Sequence, residues 1–69
     1  MKIDIATQLI ASLKYLLGEN KNVILGIMNL LDTEEKQYKM MNYLKNNFLY
    51  KELMREDYLL KIALDISKN

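Results

Sequence analysis

Sixty-nine residues with a formal charge of +1 make one small domain at most, with no global electrostatic pull toward nucleic acid or an anionic membrane. The chain has no Cys and no His, which removes disulfides, thiol and imidazole catalysis and the usual zinc ligands. It has no Pro and two Gly, and an apolar share of 51% against 28% charged residues, a composition that favours a globular fold of uninterrupted helices.

A domain this size buries roughly 60% of the surface its unfolded chain exposes. Its core supplies on the order of 3–5 kcal/mol of net stability. The remaining route to stability is burial against a partner, of which a second copy is the simplest. Asp4, Thr7, Gln8 and Ser12 interrupt any hydrophobic leader near the N-terminus. No apolar run approaches the roughly 18 residues of a membrane span. A cytoplasmic protein is expected, and the Lys-, Asn-, Ile- and Leu-rich composition suits an AT-rich bacterial or phage genome.

The first helix is expected over about 4–17. Asp4 is placed to cap it. Ile3, Ala6, Ile10, Leu13 and Leu17, widened by Leu9 and Leu16, form an amphipathic face. Gly18 follows where a left-handed residue closes a helix. Asn20 or Asn22 can cap a second helix over 22–31. That helix is apolar nearly all round, and such a helix is usually enclosed on more than one side. Val23, Ile24, Ile27, Met28 and Leu31 are therefore the candidate apolar interface. Gly26 within it could admit a neighbouring backbone.

Asp32 or Thr33 caps a third helix over 33–46, with Glu35 in a capping-box-like position. Met41, Leu44 and Phe48 are expected to face the core, with Tyr38 and Met40 at its margins. Asn46 and Asn47 mark a break. A fourth helix is expected over 48–55, with Leu49 and Leu53 four apart, and a fifth over 57–67, capped by Asp57 and buried through Leu59, Ile62, Ala63 and Ile66. One bent helix over 48–66 is the alternative. No strand pattern occurs. The expected fold is a compact all-α bundle of four to five short helices forming a single domain over 1–69.

Catalytic chemistry is sparse. Gly18 and Gly26 stand alone, so there is no phosphate loop. Glu52 and Glu56 are the one carboxylate pair at helical spacing, and a solvated acidic face accounts for them. No enzyme activity, cofactor, metal or small-molecule substrate is expected.

The segment from Lys36 to Lys51 holds four Lys, three Tyr, one Phe and three Asn, and no acid. On a helix, Lys36, Lys39, Tyr43 and Asn46 fall in one stripe, a candidate contact for nucleic acid or a protein partner. Lys45 and Lys51 fall on other faces. The acids Asp32, Glu34 and Glu35 precede the lysines, an order that the helix dipole favours without any ligand. A helix-turn-helix reading places those acids where DNA would first be met, which counts against it. The function expected is therefore a protein-interaction or regulatory module that self-associates, as a dimer, through apolar helix faces. A helix-turn-helix-like nucleic-acid binder using the third helix is the alternative.

Overall fold

Short polar side chains decide where the helices begin. The computed structural model describes residues 3–68. Asp4 Oδ1 accepts the Thr7 N–H at 2.7 Å and starts α1 (Ile5–Leu17). That N–H, helped by the Thr7 hydroxyl, holds the Asp4 carboxyl below its ordinary range. Asn20 Oδ1 accepts the Val23 N–H at 3.4 Å and starts α2 (Lys21–Leu30). Between the two candidates for α3 (Glu34–Asn46), Thr33 is the cap, its hydroxyl accepting the Lys36 N–H at 3.2 Å. Gly18 ends α1 at φ 69° and ψ −147°, a region open to glycine rather than the left-handed helical one expected.

The second half departs from the expected pattern. Phe48–Leu53 is a 3-10 segment, not an α-helix, and α4 (Glu56–Ser67) begins after it. Asn47 interrupts the α-helical course at φ −115° and ψ 18°, and its side chain donates to the Tyr43 carbonyl at 2.8 Å, occupying an acceptor at the end of α3. Arg55, not Asp57, is the cap residue of α4, without a side-chain bond. Asp57 and Glu56 lie inside the first turn, where acids face the positive end of the helix. No strand occurs among the described residues. The chain is a small all-α bundle.

The four α-helices close a ring. The packed pairs are α1 with α2, α2 with α4, α4 with α3, and α3 with α1. Although α2 and α3 are consecutive, they sit diagonally and form no main packing pair. This differs from a helix-turn-helix unit, whose two helices cross at their shared turn.

One apolar cluster fills the ring: Ile5, Leu9 and Leu13 from α1, Ile24 and Ile27 from α2, Leu31, Met40, Met41 and Leu44 from α3 and its approach, Met54, and Leu59 and Ala63 from α4. No buried polar or charged residue is among them. Four corrections to the expected core follow from the ring geometry. Ile3 precedes the cap and is largely exposed, while Ile5 takes its place. Met40, assigned to a margin, is fully buried. Phe48 is turned outward by the break at Asn47, and Leu49 in the 3-10 segment is 94% exposed. Met54, between the 3-10 segment and α4, is buried although it was not assigned to the core.

Gly26 meets no backbone; a Cβ there would find only the Leu60 side chain, at 3.8 Å. Gly26→Ala is therefore expected to stabilise the fold, by up to about 1 kcal/mol. Thr33→Ala should cost about 1 kcal/mol, and Asp32→Ala, which loses an exposed ion pair, roughly 0.5 kcal/mol or less. Leu9→Ala in the packed core should cost about 2–5 kcal/mol, enough to unfold most of the population of so small a domain. Urea denaturation of the four variants checks the order.

Candidate functional site

The basic stripe on α3 is largely neutralised by its own helix. Lys36 Nζ pairs with Asp32 at 3.1 Å, and Lys39 Nζ with Glu35 at 3.8 Å. Lys36 is half-buried because it lies one turn before Met40, on the edge of the core face. Tyr43 is half-buried too, and its hydroxyl hydrogen-bonds the Tyr58 hydroxyl across the α3–α4 contact. Asn46 is exposed. Of the four residues, Lys39 and Asn46 are left facing solvent, which is too little for a continuous polyanion track.

The apolar candidates on α2 are divided differently. Ile24, Ile27 and Leu31 are buried in the chain's own core, so they offer no interface; Val23 and Met28 are half-buried against it. Ile24, Ile27 and Leu31 turn inward because α1 and α4 pack against that side of α2. Leu25 is the large apolar side chain of α2 that stands outward.

The apolar surface that remains lies elsewhere. An open groove of about 770 Å³ runs between α1 and α3. Its α1 wall carries Ile3, Thr7, Ala11 and Tyr15, its floor Ser12, Leu16, Met41 and Leu44, and its far side Lys45 and Phe48. Tyr15 is 66% exposed and Phe48 46%. Their rings stack at 6.1 Å between centroids, 24° from parallel. Lys51 closes this end, its ammonium 5.1 Å from the Phe48 ring centre and 5.8 Å from that of Tyr15. Such cation–π contacts hold a charge in place at modest strength. Beyond Phe48 the 3-10 segment adds Leu49, Tyr50 and Leu53, all exposed. Polar groups at the groove floor are internally satisfied: the Ser12 hydroxyl donates to the Gln8 carbonyl at 3.1 Å and lies 3.7 Å from Met41 Sδ. Gln8 Nε2 donates to the Ile3 carbonyl at 2.8 Å.

Sequence patterning missed this site because Ile3 and Phe48 read as core. One signal was present: Ile3, Thr7, Ala11 and Tyr15 repeat every four residues beside the buried stripe of Ile5, Leu9 and Leu13.

Glu52 and Glu56 do not share a helix face, because the chain breaks between them at Met54 and Arg55. Both line a smaller depression of about 520 Å³ with Lys51, Arg55 and Asp57. The Glu56 carboxylate is already engaged by the Asn20 side-chain amide, which ties α4 to the start of α2. No group of three or more acids among the described residues is arranged to hold a metal ion. Nor is any helix of the described residues long and apolar enough to cross a membrane.

Burial and the Tyr58 hydroxyl together raise the Tyr43 phenol from 10.0 to about 12. The folded chain therefore keeps a proton that the unfolded chain releases first. This contribution to stability is full below pH 10 and is lost as the pH rises through about 12. Denaturation midpoints measured across that window should fall for the wild type, and less steeply for Tyr43→Phe.

No protein-family model, curated protein or solved structure matches this chain, so its function has to be read from its own surface.

Proposed function

We propose that this chain is a non-enzymatic protein-interaction module that binds through the α1–α3 groove and the adjoining 3-10 segment. The observation that carries this reading is the apolar surface gathered there. Ile3, Tyr15, Phe48, Leu49, Tyr50 and Leu53 are all exposed on a chain whose core holds twelve buried residues. Surfaces of this kind on small soluble domains mark contact sites.

Size supports the same reading. The radius of gyration, 11.0 Å, is that of a normally packed domain of this length, about 11 Å. The accessible surface, 5066 Å², stands above the roughly 4500 Å² that scaling gives for a folded monomer of 8.2 kDa. The chain is compact yet exposes extra surface, which fits an open groove awaiting an occupant. Self-association, expected through apolar helix faces, would use this groove, one wall of which is α1. A cytoplasmic setting is part of the proposal, because small secreted domains lean on disulfides and this chain has no Cys. The nucleic-acid alternative has little left to support it, since Lys36 and Lys39 are paired and α2 and α3 do not pack as a helix-turn-helix.

Tyr15→Glu combined with Phe48→Glu tests the site. Both side chains are exposed, so helical content and thermal midpoint should change little. Fluorescence enhancement of an apolar dye, strong in the wild type, should be lost, together with any rise in sedimenting mass with concentration. A wild-type chain that enhances no dye and sediments as a monomer throughout would overturn the reading.

A further inference from the structure

Resting on that reading, we infer that the groove's occupant is an amphipathic α-helix of another protein, with acidic side chains beside its apolar stripe. The floor excludes other backbones. Its polar atoms are satisfied within the chain, and the walls are helices whose backbone groups pair internally. An extended segment laid there would strip water from its own N–H and C=O groups and find no partners. A helix arrives with those groups already paired.

The shape agrees. Thr7 and Ala11 are small and lie between the larger Ile3 and Tyr15 along the α1 wall. At ~1.5 Å per residue, the helical part of this line from Thr7 to Tyr15 is about 12 Å long. It is a saddle that lets a helix approach closely at the middle, with bulky stops at the ends.

Charge selects the acid. Lys45 is the one charged residue of the lining, and Lys51 sits over the rings at the same end as Phe48. Unlike Lys36 and Lys39, neither forms an ion pair among the described residues. An acidic flank supplies the complement.

A second copy has no helix of this kind to offer. The free stripe of α1 is the groove wall itself, and its acid, Asp4, is spent as the cap. No acid lies in α2. In α3 the apolar side chains Met40, Met41 and Leu44 are buried. On α4, Tyr58 and Leu64 are exposed near Asp57 and Asp65, but Lys61 stands between them and Tyr58 is bonded to Tyr43.

Two designed helical peptides of about 14 residues, long enough for the groove, provide the test. They share a Leu stripe and differ in carrying Glu or Lys on its flanks. Each is titrated into the full isotope-labelled chain and followed by amide chemical shifts, with sedimentation in parallel. The Glu peptide should shift Thr7, Ala11, Tyr15 and Phe48 and bind at least about fivefold more tightly than the Lys peptide, with the gap narrowing in salt. Lys45→Glu with Lys51→Glu should reverse the preference, and Ala11→Arg, at an exposed position, should abolish both. Equal binding of the two peptides at the groove overturns the acidic occupant and leaves the interaction site standing. If neither peptide binds, and the chain forms dimers that Ala11→Arg dissociates, the occupant is a second copy and this inference is overturned alone. If neither binds and the chain is monomeric, this inference falls, and the interaction reading falls with it when the wild type enhances no apolar dye.

Discussion

Met54 enters the core only because the chain stops being an α-helix before it. Carried on as a helix from α3, a residue ten places beyond Leu44 would lie about 80° away from it around the axis and roughly 15 Å further along. The break at Asn47 and the 3-10 segment bring the chain back, and Met54 reaches a site where it is almost fully covered. The side chains crossing that return have nowhere inward to go. Phe48, Leu49, Tyr50 and Leu53 are exposed because Met54 is not. A buried methionine and an apolar surface patch are two results of one constraint.

The ring of helices sets the rest. With twelve buried residues and no polar group among them, the interior has no place for a second layer. Each helix spends one stripe on that core and shares its flanks with two neighbours. Between α1 and α3 the flanks do not close over, and Ser12, Leu16, Met41 and Leu44 form a floor that solvent can reach. The Ser12 hydroxyl and the Gln8 amide donate to nearby carbonyls, so these two donors can lose water without an unmet hydrogen bond.

Electrostatics divides the lysines of α3 and its sequel into two kinds. Lys36 and Lys39 answer acids one turn earlier and support their own helix. Lys45 lines the groove, and Lys51 sits over the Tyr15 and Phe48 rings at its end. The near-zero net charge of the chain conceals this division. Local pairing, not the count of cations, determines which of them remain available to a partner.

Local chemistry was legible from the residues alone. The all-α class, Asp4, the Asn20–Asn22 turn and the Asp32–Thr33 junction as helix starts, Gly18 as a stop, and the break near Asn47 all follow from interactions spanning three or four positions. The placing of Met40 and Met54 inside, with Ile3 and Phe48 outside, depends on neighbours far along the chain. So does the fate of Ile24, Ile27 and Leu31, which look like a free face until α1 and α4 cover them. Periodicity states that a helix has an apolar side, and a wide apolar side leaves several rotations open. Packing selected one rotation for each helix. That selection decided which hydrophobic residues became core and which became the groove.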